Sequence, residues 1–550
     1  MSIVAGIDVG NSTTEIVLAG AGTAERWTPL AWDRAPTRGR KGSAGAWQHA
    51  ARLLSRIERD SGLVADLVVI TGQVPVETGV RLIPDPPIPT GQFQILSNRS
   101  DTPGRPGFAL GMPIDLGGPM PASATPIIAV AGRGMGFREI LPILDAWAGA
   151  GLSIQGIATA GDEGVLLANR CAWDIPIIDE IDAAAALAAD LVGIEVAAIG
   201  HVISRLADPF RLATDFAISD RVIAGALADQ NAGQRAILVA RNTTASPAHP
   251  VSSNDWIDLD GGRLRLPILD ALAQIRDGRH RASAWSVEGS SAEVADLFGI
   301  NLREAASSVW ARPNEVGLAL AALSANAQDS VDPIHLVGDL TARPVHLLGS
   351  ESLAGQTGAL STPGSESGTT VIDLGGGTVD AMAGTIGAVS CAGGGELLTL
   401  AVATVLGIPH GAADWVKRGP SSLVANPHVL VGEDGQRDFL TSAAPADLVG
   451  ALAVAGPAGL LPFHRRLSPS EWRALRLRLK AEILGVNVVR ALNGADPNEL
   501  LLVGGPAGDE ELLIALGAVL PHHLIGRGNV GVKLGHRWAV AYGLTLLADK

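Results

Sequence analysis

Cysteine, tyrosine and positive charge are scarce in this chain of 550 residues. Its two cysteines, Cys171 and Cys391, lie too far apart in sequence to suggest a disulfide framework, which favours a reducing cytoplasm. The 41 lysines and arginines are outnumbered by 56 aspartates and glutamates, so the net charge is −15. An acidic surface argues against nucleic acid and against anionic membranes as partners.

Long uncharged apolar runs are also missing. The longest apolar stretches are residues 183–200, which contain Asp190 and Glu195, and residues 448–463, which glycine and proline interrupt. Neither resembles a membrane span of about 20 apolar residues, and the first residues lack the basic and apolar regions of a secretory signal. With 47% hydrophobic and 18% charged residues, we expect a soluble, cytoplasmic protein of several globular domains.

Several motifs of common enzymes are absent. No Gly-x4-Gly-Lys-Ser/Thr run occurs, which argues against a P-loop nucleotide site. The twelve histidines show no metal-ligand spacing, and no Ser-His-Asp order supports a hydrolase triad. The chain has instead a pair of glycine-rich acidic turns, one near its start and one in its second half.

The first turn follows an apolar strand that ends near Asp8. A carboxylate in this place is suited to orient the water around Mg²⁺, a cation that prefers oxygen ligands. Gly10 lets the backbone approach a phosphate, and the amides and hydroxyls of Asn11, Ser12 and Thr13 can bond phosphate oxygens. Taken alone, the same residues also fit an ordinary hairpin with a polar turn.

The second turn repeats this pattern, with Asp373 in the place of Asp8. Its three consecutive glycines offer backbone amides without side-chain obstruction, and a hydroxyl follows that is suited to bond a γ-phosphate or position the attacking water. These residues are Gly375, Gly376, Gly377 and Thr378. Together the two turns predict a clamp for ATP and Mg²⁺.

A third element is the apolar strand at 500–503, which is followed by Gly504, Gly505 and Pro506. A strand that ends in two glycines lets an adenosine lie against the backbone, although an ordinary strand-to-helix turn has the same pattern. The three elements resemble the phosphate-1, phosphate-2 and adenosine motifs of the actin, hexokinase and DnaK-type chaperone superfamily. This resemblance implies a two-lobed α/β fold of the ribonuclease H-like type, whose lobes close on Mg·ATP.

A closer resemblance extends over most of the chain. It is carried by short segments at both ends and in the region between the two turns, and the middle segments do not belong to actin or to sugar kinases. These segments are residues 5–12, 101–104, 162–166, 176–180, 208–214, 526–529 and 537–544. In them the chain is similar to the large subunit of the diol dehydratase and glycerol dehydratase reactivating factors.

The resemblance implies a set of site residues. A divalent metal near the small subunit is expected at Thr102, Asp162 and Asp179. Nucleotide contacts are expected at Asn11, Ser12, Thr13, Gly505, Pro506 and Arg537, and at a segment formed by Asp414, Trp415, Val416 and Lys417. Pro506 replaces the usual small hydroxyl residue, so a side-chain bond is lost there. Glu351 falls where the superfamily often has an acid near the metal-bound water, and residues 391–396 resemble its ribose-side glycine loop.

The resemblance also implies a function. Such a protein, using ATP and ADP with Mg²⁺, reactivates an adenosylcobalamin-dependent dehydratase by releasing damaged cobalamin through subunit exchange. The expected partners are a small reactivase subunit in an α2β2 complex and the dehydratase; a surrounding bacterial microcompartment is left open. Three alternatives also stay open: a reactivase for an ethanolamine ammonia-lyase or glutamate mutase, a sugar or carboxylate kinase, and a non-hydrolysing actin-like scaffold.

Four segments are expected along the chain. They are the N-terminal part of the first ATPase lobe (1–89), an inserted swivelling domain (90–245), a linker region with helices (246–330) and the rest of the ATPase (331–550). Apolar spacing predicts a helix at 45–59, and alternating strands and helices in the inserted domain. It also predicts a mostly helical segment at 293–327 and strands at 333–338 and 345–348.

Overall fold

The structure is a computed structural model with two compact units. It describes residues 2–21, 27–84, 92–96, 104–122, 125–198, 201–232, 234–243, 255–287, 290–306, 315–325, 331–383 and 387–548. The first unit comprises Met1–Leu82, Asn254–Ala305 and Gly317–Lys550. The second unit comprises Ile83–Ser253 and Ala306–Val316.

The first unit begins with three antiparallel strands, a helix and a parallel strand. The elements are β1 (Ile3–Val9), β2 (Thr13–Ala21), β3 (Trp27–Pro36), α1 (Ala44–Ser61), β4 (Leu67–Thr71) and β5 (Val76–Pro84). The predicted helix at 45–59 is confirmed as α1, which Ser43 caps by accepting from the Ala46 amide. Trp47 and Leu54 on its apolar face are buried against the sheet formed by β1 and its neighbours.

The second unit contains one seven-stranded sheet. Its elements are β6 (Phe93–Ile95), β7 (Gly107–Asp115), β8 (Ile127–Ala131), α2 (Phe137–Gly149), β9 (Ile154–Thr159), α3 (Gly164–Arg170), β10 (Ile177–Ile178), α4 (Ala183–Leu187), β11 (Leu191–Val196), α5 (Pro209–Phe216), α6 (Arg221–Asn231) and β12 (Ala236–Arg241). The strand order is β10-β9-β8-β7-β11-β12-β6. Strands β7 to β10 pair in parallel through crossovers, so the predicted alternation of strands and helices is confirmed.

The chain then returns to the first unit as a six-stranded sheet. Its further elements are β13 (Trp256–Leu259), β14 (Leu264–Pro267), α7 (Ile268–Ile275), β15 (Ala282–Val287), β16 (Ser290–Asn301), α8 (Leu302–Ala305) and β17 (Glu315–Ser324), in the strand order β14-β13-β15-β16-β17-β5. The prediction of a mostly helical segment at 293–327 is therefore wrong. Alanine and leucine favour helices locally, but antiparallel pairing of β16 with β17, with Leu297 opposite Ala322, overrides that preference.

The predicted strand at 333–338 is also wrong, because it is the helix α9 (Pro333–Thr341). Asp332 caps this helix by accepting from the Ile334 amide, and a proline at the first helical position is a helix-start signal. The predicted strand at 345–348 is confirmed as β18 (Val345–Leu348), and it is followed by α10 (Glu351–Ala359). Strand β18 completes a five-stranded sheet of order β18-β4-β1-β2-β3.

The remaining residues form two more sheets with their helices. The elements are β19 (Thr370–Leu374), β20 (Thr378–Ala383), β21 (Gly387–Ala392), α11 (Gly395–Leu406), α12 (His410–Val416), β22 (Ser421–Asn426), β23 (Val429–Gly432), β24 (Arg437–Phe439), β25 (Leu452–Gly456), β26 (Gly459–His464), α13 (Pro469–Lys480), a π-helical turn (Ala481–Gly485), α14 (Val486–Leu492), β27 (Glu499–Val503), α15 (Glu510–Val519), β28 (Leu524–Arg527) and α16 (Ala539–Leu546). The strand orders are β21-β20-β19-β27-β28 and β24-β23-β22-β25-β26.

Two of the five-stranded sheets of the first unit share one topology. In each, three antiparallel strands follow one another along the chain, and two parallel strands are then added beside the first of them. The duplicated sheets are β3-β2-β1-β4-β18 and β21-β20-β19-β27-β28. This duplication confirms the predicted two-lobed α/β fold class, and it gives the β1–β2 and β19–β20 turns equivalent places.

No single helix in the described ranges combines the length and apolarity that crossing a bilayer requires. Only the pair Gly395–Leu406 and His410–Val416 reaches that length and composition, and it is bent by 105°.

Candidate functional site

The first glycine-rich turn connects β1 and β2. Asp8 lies opposite Glu15 in this antiparallel pair. The turn is closed by a hydrogen bond of 2.9 Å from the Gly10 amide to the Thr13 carbonyl. The Thr37 hydroxyl supports the turn by donating to the Gly10 carbonyl at 2.8 Å. Backbone and side-chain bonds therefore both define the shape of this turn.

The second turn, between β19 and β20, has the same construction. Asp373 lies opposite Asp380, just as Asp8 lies opposite Glu15. The Gly375 amide donates to the Thr378 carbonyl, again at 2.9 Å. The Thr378 hydroxyl donates to the Asp380 carboxylate at 2.7 Å, so a bond to a phosphate would require it to exchange this partner.

The two turns touch each other. A Cβ atom on Gly376 would overlap the Ser12 hydroxyl, and one on Gly377 would overlap the Asn11 side-chain amide. The Ser12 hydroxyl also donates to the Glu396 carboxylate, at 3.3 Å. The structure thus brings the predicted phosphate-binding residues of both turns together, and this close approach is what requires glycine in the second turn.

Carboxylates are concentrated beside the turns. Burial raises the pKa of Asp8 well above its usual range, and the nearby Glu351 carboxylate raises it further. Burial likewise raises the pKa of Asp373 to about 8, with the next largest contribution from the Asp380 carboxylate. The pKa of Asp380 is itself raised by burial. Because burial is the largest cause of these shifts, the carboxyl groups hold protons unless a cation lies beside them.

Lys41 is the basic group of this cluster. Its ammonium donates to both oxygens of Glu351, at 3.0 and 3.1 Å, and only 11% of its side chain is exposed. Burial alone would lower the pKa of Lys41, but the carboxylates of Glu351, Asp8 and Asp380 together outweigh that effect and the pKa is raised. Lys41 is therefore a permanent cation that holds Glu351 at the start of α10.

The residues beside the turns fit Mg²⁺ bound partly through water. The Oδ1 atom of Asp8 is buried and has no hydrogen-bond partner, and the nearby donors are oxygens, as a hard cation prefers. In the parts of the chain that the structure describes, no group of three or more His, Cys, Asp or Glu side chains is arranged to hold a metal unaided. Water and phosphate oxygens would therefore complete the coordination of Mg²⁺ here.

The predicted adenosine side begins where β27 ends. Gly504 has a φ of +89° and donates to the His536 carbonyl at 2.8 Å. A Cβ atom on Gly505 would lie 3.1 Å from the Arg537 guanidinium, so these two predicted contact residues are adjacent. Arg537 in turn pairs with Glu15 at 3.3 Å, which joins this region to the first turn.

The predicted segment Asp414, Trp415, Val416 and Lys417 lies at the end of α12. Lys417 donates to the Gly395 carbonyl at 3.1 Å, and it pairs with Asp414 at 2.9 Å. Gly395 also faces Pro506, since a Cβ atom there would lie 3.0 Å from the proline ring. Trp415 is 39% exposed, whereas the Val416 side chain is fully buried and leaves only its backbone for a ligand.

The predicted metal residues of the second unit are only partly described. Thr102 lies outside the described residues. Asp162 is exposed just before α3, while Asp179 is buried and accepts a hydrogen bond of 3.0 Å from the Gly164 amide at the start of that helix. A metal site at these three residues stays a prediction.

Sequence reasoning missed three residues of the candidate site: Glu15, Lys41 and Asp380. Glu15 and Asp380 sit opposite Asp8 and Asp373 across their hairpins, so strand pairing would have found them. Lys41 stands in a basic run before α1 that resembles a solvated loop, and no local signal distinguishes it.

Comparisons with known proteins agree with this geometry. Residues 305–548 match the family model described as the diol dehydratase reactivase ATPase-like domain, and residues 93–243 match the swiveling domain of the DD-reactivating factor. The diol dehydratase-reactivating factor large subunit of Klebsiella michiganensis is 27% identical over 99% of this chain and 98% of its own length. The propanediol dehydratase-reactivating factor large subunit of Citrobacter freundii is also 27% identical, with the same coverage.

Solved structures give the same result. The diol dehydratase-reactivating factor in its nucleotide-free form is 26% identical, with a TM-score of 0.66 over 99% of both chains. A glycerol dehydratase reactivase, 22% identical, has the same TM-score over 100% of both chains and so shares the fold. The two family models, the full-length relatives and the shared fold lead to one conclusion: this chain belongs to the large-subunit family of the diol dehydratase-reactivating factors.

Proposed function

We propose that this chain binds ATP and ADP with Mg²⁺ between its two glycine-rich turns and hydrolyses ATP slowly. The observation that carries the proposal is the contact of the two turns, with Asp8 and Asp373 at equivalent places of a duplicated sheet. The match to an ATPase-like domain of the family supports it. Among the described residues beside the turns none is a strong general base, since Glu351 is paired with Lys41, which is why the expected turnover is slow.

The carboxylates have distinct proposed roles. When bound, Mg²⁺ would neutralise charge on the phosphates. Asp8 and Asp373 would orient the water around it from the two lobes, because each carboxylate follows an apolar strand at the same position. Glu351, held by Lys41, would accept a hydrogen bond from the attacking water, and the Thr378 hydroxyl would position that water or the γ-phosphate.

The remaining site residues would hold the nucleotide. Backbone amides and small polar side chains of both turns would bind the phosphates; these residues are Asn11, Ser12, Thr13, Gly375, Gly376 and Gly377. The adenosine would lie against Gly504, Gly505 and Pro506, next to Arg537 and the segment from Asp414 to Lys417. The meeting of Pro506 and Lys417 at Gly395 supports a shared adenosine site.

Nucleotide turnover would serve the reactivation of a cytoplasmic partner enzyme. We propose that the chain acts with a small reactivase subunit, in an α2β2 complex, on an adenosylcobalamin-dependent diol or glycerol dehydratase and releases damaged cobalamin through subunit exchange. The names of its full-length relatives support this function. ATP and ADP must then favour two conformations with different free energies, since a nucleotide bound equally by both would shift nothing.

A second cation site is proposed in the inserted domain. Thr102, Asp162 and Asp179 would supply hard oxygen donors to a divalent metal near the small subunit. Asp162 is exposed just before α3, and the nearby Gly164 amide donates to Asp179. Asp179 thus contacts the chain close to Asp162, which supports the site. Isothermal titration of Asp179→Asn with Mg²⁺ and Ca²⁺ should show the loss of one binding event that Asp8→Asn retains.

The decisive experiment is reactivation. The chain and its small subunit are mixed with cobalamin-inactivated diol dehydratase, ATP and Mg²⁺, and fresh adenosylcobalamin is then added. Recovery of dehydratase activity with ATP, but not with a non-hydrolysable analogue, is expected. If dehydratase activity does not recover, the proposal is wrong for diol dehydratase as the partner enzyme.

Parallel reactions separate the alternatives. Inactivated glycerol dehydratase and ethanolamine ammonia-lyase serve as further clients, and recovery of the ammonia-lyase alone would move the assignment to that enzyme. Incubation with ATP and small sugars or carboxylates, followed by mass spectrometry, should give no phosphorylated product.

A further inference from the structure

A buried polar cluster lies behind the second glycine-rich turn. It consists of Asp296 on β16 and of Asn487 and Arg490 on α14, and we call it the Arg490 cluster. Arg490 pairs with Asp296 at 2.7 Å, with side-chain exposures of 2% and 1%. A second guanidinium nitrogen of Arg490 donates to the Asn487 side-chain oxygen at 2.6 Å. Within the predicted ribose-side loop these residues bond only backbone groups, and the proposed function assigns them no role.

The Arg490 cluster holds the backbone at the end of β21. The free carboxylate oxygen of Asp296 accepts from the Ala392 amide at 2.7 Å. The Asn487 side-chain amide donates to the carbonyls of Ala392 and Gly393, at 3.0 and 2.6 Å. Both carboxylate oxygens of Asp296 and the side-chain oxygen of Asn487 thus have hydrogen-bond partners. Asp296 and Asn487 together hold the peptide groups of Ala392 and Gly393 in place.

These two residues begin a segment that fixes the turn. The Gly393 amide donates to the Gly377 carbonyl at 2.8 Å. The next amides continue the pattern, from Gly395 to Gly375 at 3.0 Å and from Glu396 to the carbonyl of Gly376 at 2.8 Å. Each glycine of the turn therefore has its carbonyl oriented by the segment that the Arg490 cluster holds. Oriented carbonyls also fix the directions of the neighbouring amides, which are the groups that face a phosphate.

The other side of the cluster belongs to the six-stranded sheet. Asp296 is part of β16, and Arg490 also donates to the carbonyl of Ile275 at the end of α7, at 3.0 Å. Arg281, just before β15, donates to the Ser390 carbonyl on β21 at 3.2 Å. The sheet of β13 to β17 is therefore joined to β21 by buried, charge-assisted hydrogen bonds in addition to apolar packing.

We infer that the Arg490 cluster couples the six-stranded sheet to the phosphate-binding turn, with Asp296, Asn487 and Arg490 as positioning residues. This inference rests on the proposed nucleotide site. A buried ion pair resists separation because either partner alone is left as an uncompensated buried charge. A ligand that orders the turn therefore stabilises the packing of β16, and a partner that moves β16 changes the affinity for nucleotide by the same factor, because coupling is reciprocal.

The first test compares Asp296→Asn with Asp258→Asn. Asp258 also lies in the six-stranded sheet, on β13, and its carboxylate is paired with an arginine of the neighbouring strand, Arg265 on β14, at 2.6 Å. An asparagine at 296 can accept from Arg490 or from Ala392 but not from both. We expect the Kd for Mg·ADP to rise roughly tenfold in Asp296→Asn and less than about twofold in Asp258→Asn, as measured by isothermal titration.

The second test needs no variant. Amide hydrogen exchange of β16 and α7 is measured in the wild-type chain with and without Mg·ADP, and α2 of the other unit serves as the reference. Slower exchange in β16 on ADP binding is expected, and the same slowing should survive in Asp258→Asn and disappear in Asp296→Asn. A role in folding alone would lower stability without making this protection depend on the nucleotide.

The outcomes separate the two proposals. A wild-type chain that binds neither ATP nor ADP would overturn the proposed function. A wild-type chain that binds nucleotide while exchange in β16 stays unchanged would overturn the coupling alone. If Asp296→Asn does not fold, Asn487→Ala, which keeps the Arg490–Asp296 pair, takes its place with the same expected direction.

Discussion

The two turns of the candidate site have the same backbone geometry but different chemistry. Each is closed by an amide-to-carbonyl bond of 2.9 Å, and each follows a strand whose aspartate has a raised pKa. The first turn presents side chains, those of Asn11 and Ser12, whereas the second presents only the backbone of its glycines. The side chains of one turn occupy the space that the other leaves empty.

The supports of the two turns differ as well. The first turn is backed by Thr37, which follows β3, and its Asn11 side chain donates to the Val76 carbonyl on β5 at 3.0 Å. The second is backed by three backbone amides, those of Gly393, Gly395 and Glu396, in a segment whose first residues the Arg490 cluster holds. The backbone of the first turn is therefore held by residues 10–37, while the carbonyls of the second turn are oriented by a segment that residues of β16 and α14 hold.

Loss of either aspartate should have the largest effect. Asp8→Asn and Asp373→Asn are each expected to lower ATP turnover by roughly 100-fold or more, because each removes an oxygen ligand for the cation's water on one side of the phosphates. Steady-state phosphate release measures this. Asp33 on β3, whose side chain is 40% exposed and paired with Arg56 of α1, gives the matched control Asp33→Asn, for which turnover should be unchanged. Unequal losses at the two positions would show that the turns are not equivalent in function.

A side chain in the second turn should have the next largest effect. Gly376→Ala places a Cβ atom on the Ser12 hydroxyl, and we expect the affinity for Mg·ADP to fall about tenfold. The double variant with Ser12→Gly should recover part of the loss, which a double-mutant cycle measures. Gly517→Ala, at an open position of α15, is the control. A double variant as weak as the single one would mean that the two turns do not compete for this space.

The raised pKa of Asp373 predicts a pH dependence of stability. The folded protein holds a proton on Asp373 up to a pH of about 8, whereas the unfolded chain releases it near its ordinary value. Folding therefore binds a proton between those values, and stability falls as the pH rises through that range. Thermal unfolding without nucleotide should show a lower Tm at pH 8 than at pH 6, and Asp373→Asn should have a shallower slope. Parallel slopes for the two proteins would contradict the raised pKa.

The support of the first turn should have the smallest effect. Thr37→Val removes the hydroxyl that donates to Gly10, at a cost of about 1 kcal/mol in the free energy of unfolding. Because the turn keeps its own closing bond, the Kd for Mg·ADP should change less than about threefold. Urea denaturation and isothermal titration measure the two quantities. A large loss of affinity would show that the closing bond alone does not keep the first turn in its binding conformation.

Local sequence signals were sufficient for much of the fold. Helix α1 covers the predicted residues 45–59, and both acidic turns connect paired strands as expected. The misassigned segments had local signals that conflicted with their surroundings. Residues 293–327 are rich in alanine and leucine, yet β16 is a strand because β15 and β17 pair with it on both sides. At Pro333 the proline and its preceding Asp332 were the better signal.

The candidate site was likewise predictable from the sequence only in part. The two turns could be predicted, because an apolar strand, an aspartate and small turn residues are local features. The family resemblance added the remaining contacts. Only the tertiary structure decided which groups share one electrostatic environment. Lys41 and Glu351 are 310 residues apart in sequence, and Asp296 reaches Ala392 across 96. A pKa shift and a buried ion pair depend on desolvation and distance, and both exist only once the distant segments have packed together.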